Sequence, residues 1–158
     1  MNKIEALGDI DLSKRISEHI IQDSKDAIII TDADSKIIRT NPAFETITGY
    51  SESEVIGENP QFMESGYHDT RFFQKMWQAI QSEGKWSGEI WDRKKSGEIY
   101  PKWLTVSRLA SDDQQHCHYI GIFRDLTNER RSKEQIRTLS DFDPLTKLPN
   151  RAGATQKI

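Results

Sequence analysis

The sequence contains one tight run of residues whose types could bind a metal ion, His116-Cys117-His118. Imidazole nitrogens and thiolates are ligands that zinc prefers in proteins. The run begins a stretch that predicts a β-strand, and successive side chains of a strand project to opposite faces of its sheet. His116 and His118 would therefore share one face, and Cys117 would lie on the other. Three ligands cannot converge on a regular strand, so we predict no metal site.

Patterns typical of nucleophilic catalysis do not occur in the chain. There is no Gly-x-Ser-x-Gly sequence of the kind that presents a serine at a sharp turn between a strand and a helix. Aspartate and glutamate are plentiful, but most of them lie at predicted helix caps or on helix faces. We therefore name no catalytic residue in this chain.

Length and charge exclude several classes of protein. The 158 residues suffice for one compact domain, and the formal charge of -3 disfavours nucleic acid as a partner because phosphate binding needs a concentrated basic face. No apolar run approaches the roughly 20 residues of a membrane span. A single cysteine excludes a disulfide within the chain, and residues 1–12 show no signal peptide. If Met1 is the true start, these features predict a cytoplasmic protein.

The elements that must position any site follow from hydrophobic periodicity. Leu12, Ile16 and Ile20 recur every four residues and predict an amphipathic helix over residues 11–25. The period then changes to that of strands, because residues 27–31 and 37–40 are rich in β-branched types and flank the turn-forming sequence DADS. We interpret this region as a β-hairpin.

Capping residues mark the helices that follow. Asn41 before Pro42 predicts one helix start, and Ser51 with Glu54 forms a capping box for a second, short helix. A longer helix is predicted from about Asp69 to the stop at Gly84. Its apolar stripe consists of Phe72, Phe73, Met76, Trp77 and Ile80.

Three further strands complete the predicted fold. The first starts near Trp86, the second follows the turn RKKSG, and the third follows the polar stretch 111–115. A charged helix is predicted from Asn128. We interpret Arg93-Lys94-Lys95 as a solvated turn. The sequence thus predicts an α+β fold, a five-stranded antiparallel sheet with helices on one face. A cavity for a small ligand would lie between sheet and helices.

Three segments, 26–57, 84–100 and 119–127, resemble PAS sensor domains. The closing aromatic-Ile-Gly followed by Asp125-Leu126-Thr127 is a fairly specific part of this likeness. The resemblance places a PAS domain over residues 24–127, with an N-terminal signalling helix at 1–23 and a helical linker at 128–140 that could form a coiled coil. It implies a sensory or dimerisation module that could be a homodimer and hold a small molecule.

The last residues resemble the start of GGDEF-type diguanylate cyclases, so we assign residues 141–158 to a truncated start of such a domain. The matching positions are Asp143, Leu145, Thr146, Leu148, Asn150 and Arg151. No Gly-Gly-acidic-Glu-Phe sequence follows, so the resemblance implies an input module that regulates a cyclic di-GMP synthase whose catalytic body lies beyond this chain.

The family resemblance implies several cofactors that can be tested on residues. Photoactive flavin relatives carry a reactive cysteine in Gly-x-Asn-Cys-Arg-Phe, but Pro60 stands at that position here, which excludes the photochemical adduct. FAD or FMN in a redox sensor needs no cysteine. The implied pocket residues are Asn59, Phe73, Trp86, Asp92 and Phe123.

Three departures weaken the flavin interpretation. Asp92 and Lys102 stand where flavin binders carry amides, and Phe123 replaces a glutamine. Sheet packing is the alternative role of Trp86. Haem would need a histidine near the long helix, and His68 is the candidate, but its place at a predicted helix start favours a solvent-facing side chain and disfavours haem. A pocket filled by side chains, in a purely structural dimerisation module, is the remaining alternative.

A signal would leave through the last strand and the helix after it. Thr127 is the expected N-cap, and Glu129 and Ser132 occupy positions where a heptad repeat would place apolar residues. Ile136 and Leu139 continue a narrow apolar seam. We predict a relay through Asp125 and these residues, with a helix pair that is weak near the PAS domain. Ile16 and Ile20 would provide a second dimer contact or pack on the domain's own sheet.

Overall fold

The computed structural model describes residues 3–110 and 116–133. The described residues up to Asp125 belong to one compact unit, and those at 126–133 belong to a second. The first unit contains α1 (Lys3–Asp23), β1 (Ala27–Thr31), β2 (Ile37–Thr40), α2 (Pro42–Thr48), α3 (Glu52–Val55), a 3-10 helix (Pro60–Met63), α4 (Thr70–Glu83), β3 (Lys85–Arg93), β4 (Ile99–Ala110) and β5 (Cys117–Asp125). The predicted α+β architecture is confirmed.

The five strands within residues 3–110 and 116–133 form one antiparallel sheet in the order β2-β1-β5-β4-β3. Strand β5, the last in sequence order among the described residues, is therefore the central strand, paired with β1 on one side and β4 on the other. The apolar core lies where this sheet meets the intervening helices, and Phe44 and Phe123 pack edge to face in it at 6.1 Å. Helices and sheet together leave the space described below.

Asn41 connects three elements of the first unit. Its Oδ1 accepts hydrogen bonds from the backbone N–H groups of Phe44 and Ile28, at 3.1 and 2.8 Å. The first of these bonds caps α2 as predicted. Its Nδ2 donates to the carbonyl oxygens of Ile21 and Asp26. One buried amide thereby ties the end of α1 to β1 and α2.

Two further predicted helix starts in the first unit are confirmed. Ser51 and Glu54 form the capping box of α3, and Asp69 caps α4, whose last turn ends at Gly84 with φ of 79°. These signals are local in sequence, and the structure retains each of them.

The N-terminal helix departs from one interpretation. Leu12, Ile16 and Ile20 are 51%, 51% and 59% exposed, so the interpretation that this stripe packs on the domain's own sheet is wrong. The helix is instead held by polar groups: the Arg39 guanidinium pairs with Glu18 through two hydrogen bonds of 2.6 and 2.5 Å, in addition to the Asn41 contact with Ile21. The dimer contact remains a prediction.

The second unit begins with a helix over residues 127–133. The Leu126 carbonyl already accepts from the Arg130 N–H at 3.0 Å, so Leu126 is the N-cap and Thr127 the first helical residue. The expectation that Thr127 caps this helix is therefore wrong by one residue. Glu129 and Ser132 lie on the helix, whereas Ile136, Leu139, Asp143, Leu145, Thr146, Asn150 and Arg151 fall outside the described residues.

Candidate functional site

A cavity of about 660 Å³ lies between the inner face of the sheet and the segment formed by the 3-10 helix and α4. Its walls are mainly apolar and include Ile29, Phe73, Met76, Ile90, Leu104 and Phe123. A volume of this size is typical of small-molecule sites, which are mostly apolar with a few polar groups that fix orientation. The cavity anticipated between sheet and helices is therefore present.

Gly121 allows β1 and β5 to pack closely in the cavity wall. It lies on central strand β5 and lines the cavity, and a Cβ atom there would lie 2.8 Å from Ile29 Cγ2. Real side chains do not tolerate so short a contact, so any larger residue would displace the β1 side chain. A glycine on the middle strand thus allows close packing beside the cavity.

One buried ion pair contributes to the cavity wall. Lys102 Nζ lies 2.5 Å from Asp92 Oδ2, and the two side chains are 4% and 8% exposed. The ammonium also lies 3.9 Å from the centre of the Phe123 ring, a cation–π contact. The three positions that depart from the flavin pattern therefore form a single cluster, in which two charges satisfy each other.

This cluster does not reproduce the amide set of the flavin resemblance. Asp92 can only accept hydrogen bonds, Lys102 can only donate them, and the Phe123 ring offers neither function. A ring edge would have to compete with an ion pair already formed. The residues present do not fit a flavin held through amides, and we derive no step through that group.

Glu64 brings a second carboxylate to the cavity. Its backbone forms an isolated antiparallel bridge with Asp92, and Glu64 lines the cavity. Burial raises the pKa of the Glu64 carboxyl, and the negative charge of Asp92 raises it further. The residue is nevertheless exposed as a whole, so we place it at the rim of the cavity. Sequence reasoning did not identify this residue, because only the chain reversal after the 3-10 helix brings it beside β3.

Helix α4 adds amide groups and an aromatic contact to the wall. Gln74, Gln78 and Gln81 line the cavity, and Gln81 Nε2 donates to the Tyr119 hydroxyl at 2.8 Å. Trp77 packs edge to face on the same tyrosine, with ring centres 5.2 Å apart. The apolar periodicity of α4 predicted its buried face, but the glutamines between those positions gave no signal of their own.

The structure brings only part of the predicted pocket set together. Phe73, Asp92 and Phe123 line the cavity, whereas Asn59 and Trp86 do not contribute to its lining. Asn59 caps the 3-10 helix by accepting from the Gln61 N–H at 3.0 Å. Trp86 lies across Gly88 and packs on Phe72, with ring centres 5.9 Å apart. Their assignment as ligand-binding residues stays a prediction that this geometry does not favour.

His68 joins the loop before α4 to the outer edge of β3. Its Nε2 accepts from the backbone N–H of Trp91 at 2.9 Å, and its ring stacks on Phe72 with centres 4.0 Å apart. Burial lowers the pKa of His68, against the charges of Asp92, Asp69 and Glu89, which raise it. The solvent-facing interpretation is wrong: this half-buried ring occupies a backbone donor, and it is not among the residues that line the cavity.

The turn between β3 and β4 is likewise more than a solvated turn. Lys94 Nζ pairs with the Asp125 carboxylate at 2.9 Å and lies 4.9 Å from the centre of the Tyr100 ring. Lys95 Nζ pairs with Glu54 at 2.6 Å, and its N–H donates to the Thr48 carbonyl. The turn thus contacts the helices on one side and the end of β5 on the other.

Tyr100 lies close to both the Asp92–Lys102 pair and the Lys94–Asp125 pair. Its register partner on β3 is Asp92, it is 1% exposed, and its hydroxyl is the one buried side-chain polar atom without a hydrogen-bond partner in the described part of the chain. Burial raises the pKa of this hydroxyl, and the charges of Asp92 and Asp125 add to the effect. The phenol therefore stays protonated between the cavity and the end of β5.

The run His116-Cys117-His118 lies at the start of β5, where Cys117 and His118 pair with Ala110 and Leu109. Within residues 3–110 and 116–133, no three histidine, cysteine or acidic side chains are grouped so that they could hold a metal ion. Over the same residues, no helix has the length and apolar character required to cross a bilayer.

Comparisons with known proteins agree on one family. A family model described as a PAS domain matches residues 25–128. The chain is similar to a nitrogen fixation regulatory protein of Klebsiella oxytoca, with 26% identity over 75% of this chain and 24% of the relative. It is also similar to a blue-light photoreceptor of Listeria innocua, with 33% identity over 69% of this chain and 44% of the relative.

A solved structure gives the same result for the fold. The crystal structure of a PAS domain from Colwellia psychrerythraea superposes with a TM-score of 0.67 and 28% identity, over 74% of this chain and 98% of that chain. The chain spans about a quarter to less than half of the length of the two relatives named above.

Proposed function

The chain belongs to the PAS domain family, and on this premise we propose that it is a sensory module that binds a small molecule in its cavity. The observation that carries the proposal is the buried Asp92–Lys102 pair in the cavity wall. Tyr100 lies on β4 beside this pair, and Lys94 lies in the turn between β3 and β4, so a change at the cavity can reach the end of β5 through adjacent residues.

We propose that the signal leaves through Asp125. A ligand that shifts the Asp92–Lys102 pair would alter the packing of Tyr100, over which Lys94 lies. Lys94 holds the Asp125 carboxylate, the last residue of β5. Two arrangements of this pair that differ by a few kcal/mol would be enough to shift the population of the output state.

The regulated output is proposed to be an attached diguanylate cyclase that makes cyclic di-GMP from GTP. The support for this step is the likeness of Asp143, Leu145, Thr146, Asn150 and Arg151 to the start of that enzyme. Such a cyclase joins two GTP-loaded sites face to face, so we also propose a homodimer. Since GTP is a cytoplasmic substrate, the proposed location is the cytoplasm.

A flavin redox sensor is the second candidate, and the observation that favours it is the likeness to relatives named blue-light photoreceptors. The departures at Asp92, Lys102 and Phe123 weigh against it. A ligand-free dimerisation module is the third candidate, and the cavity volume weighs against a pocket filled by side chains.

The test is native mass spectrometry and visible absorbance of the freshly purified protein, followed by cyclase assays of the full-length protein. A colourless protein that carries a small molecule, or gains thermal stability from one, supports the main proposal. Blue-region absorbance supports the flavin candidate. If the Asp125→Asn variant of the full-length protein responds to the stimulus as the wild type does, the proposed relay is wrong.

A further inference from the structure

The charges that line the cavity are unequal in number. Three charged residues contribute to the lining, the carboxylates of Glu64 and Asp92 and the ammonium of Lys102. With all three ionised, the lining carries one uncompensated negative charge. The remaining polar contributors are hydroxyl and amide groups, which carry no charge, so they do not alter this balance.

The Asp92 carboxylate belongs to the cavity wall. Among the described residues the Asp92 carboxylate has one side-chain partner, Lys102, which engages Oδ2. The side chain is only 8% exposed, and among the described residues Asp92 has no fully buried oxygen without a hydrogen-bond partner, so an Asp92 oxygen that no protein donor engages is accessible. An accessible carboxylate oxygen of a cavity residue can accept a hydrogen bond from a donor on the ligand.

Glu64 adds a second negative charge beside the Asp92 carboxylate. The backbone bridge keeps it beside Asp92, and like charges in close proximity repel each other. An anionic ligand would bring a third negative charge to these two carboxylates. A ligand cation would neutralise the repulsion and donate hydrogen bonds to both groups.

The apolar part of the wall suits a cation with an organic body. Phe73, Trp77, Tyr119 and Phe123 contribute aromatic rings to the lining. The contact of Lys102 with the Phe123 ring at 3.9 Å shows that a positive charge already lies against one of these faces. Ring faces and carboxylates attract the same class of ligand.

We propose that the cavity binds an organic cation, a protonated amine on an apolar or aromatic body, whose ammonium lies between Glu64 and Asp92. This inference rests on the proposed function, because it names the chemical class of the sensed molecule. The apolar body would occupy the space beside Phe73 and Gly121, and the ammonium would shift the Asp92–Lys102 pair without separating its two charges.

The experiment compares three probes with the same indole body and different charge. Tryptamine is cationic at neutral pH, tryptophol is neutral and indole-3-propionate is anionic. Calorimetric titration of the purified chain should give tryptamine a dissociation constant about tenfold or more below that of indole-3-propionate, with tryptophol between them, because like charges oppose binding. Equal or tighter binding of the carboxylate overturns the proposal, as does the absence of binding by all three probes.

Matched variants locate the charge. Glu64→Gln should weaken tryptamine binding about threefold, the scale of a partly exposed ion pair, and leave tryptophol binding unchanged. Glu58→Gln, a change to an exposed glutamate that does not line the cavity, should alter neither. Equal effects of the two variants would overturn the assignment to Glu64. A failure of the organic-cation proposal does not contradict the proposed sensory function. Ligand recovery by mass spectrometry and the Asp125→Asn assay test that function separately.

Discussion

Lys102 Nζ and Asp92 Oδ2 are joined at 2.5 Å across the β3–β4 ladder, and both side chains are less than a tenth exposed. Removing one charge leaves the other buried without a partner, and such changes cost about 3–5 kcal/mol. We therefore expect Lys102→Met to lower the free energy of unfolding by that amount. Urea unfolding followed by circular dichroism measures it.

The double variant Lys102→Met with Asp92→Leu is the control for this pair. Replacing both partners by apolar groups removes the unpaired charge, so much of the lost stability should return. Lys95→Met, which breaks the exposed pair with Glu54, should shift the urea midpoint far less. A double variant as unstable as Lys102→Met would show that the loss comes from packing and not from charge.

Asn41 should be among the most sensitive buried polar positions. Asn41→Ala removes the cap of α2 and the acceptor for the Ile28 N–H, and we expect a loss of about 2–4 kcal/mol. Asn41→Asp keeps an acceptor for both N–H groups but loses the donors to Ile21 and Asp26. Its free energy of unfolding, measured by chemical denaturation, should lie between those of Asn41→Ala and the wild type. Equal losses of stability in the two variants would contradict separate roles for the oxygen and the nitrogen of the amide.

Stability should fall at mildly acidic pH because of His68. Burial lowers the folded-state pKa of His68, so the unfolded chain binds a proton first, from about pH 6.5 downward. The contribution of His68 is present above that pH and is lost as pH falls through the folded-state pKa. The Gln side chain in His68→Gln can accept from the Trp91 N–H without titrating, so unfolding free energy measured against pH should have a flatter slope.

His19→Gln is the control, because His19 lies on the exposed surface of α1 and pairs with Asp23. This variant should retain the slope of the wild type. A wild-type slope that persists in His68→Gln would assign the pH dependence to other groups.

Gly121→Ala should destabilise the protein by about 1–3 kcal/mol, since the added methyl group meets Ile29 Cγ2. The same substitution made in an Ile29→Ala background should cost less, because the clashing atom is gone. Thermal unfolding of the wild type, the two single variants and the double variant gives the coupling free energy between positions 29 and 121. Additive effects would show that the contact does not limit residue size.

The Lys94–Asp125 pair should separate ligand binding from output. Lys94→Met leaves the cavity lining intact, so the dissociation constant of a bound probe should stay within about twofold of the wild type. In the full-length protein the response of the output to that probe should diminish. Lys95→Met is the matched change one residue away, and an equal loss of response there would exclude a specific role for Lys94.

Local signals explain which parts of the fold could be predicted. The strands at residues 27–31 and 37–40 and the caps at Asn41, Ser51 and Asp69 depend on neighbours within a few residues, and all of them are present. The apolar stripe of α4 was predictable for the same reason, because the helix period alone places it on one face.

Non-local contacts explain the misses. Trp86 looked suited to a ligand ring, but Gly88, two residues away, lets its side chain lie along the sheet. The departures at Asp92 and Lys102 were visible singly. The sequence did not show that their opposite charges pair with each other. That pairing depends on the β3–β4 register, which places Lys102 opposite Ile90 and diagonal to Asp92. Glu64 joins them through a bridge that no sequence pattern indicates.

The position of β5 has a consequence for biosynthesis. The β1–β2 and β3–β4 hairpins leave the ribosome before β5, so each exposes unpaired backbone groups along one edge until that strand emerges. Insertion of Cys117–Asp125 closes both edges at once. A nascent chain interrupted before residue 117 would therefore hold two separate hairpins, and the segment that completes the sheet is the one that leads into the helix at residues 127–133.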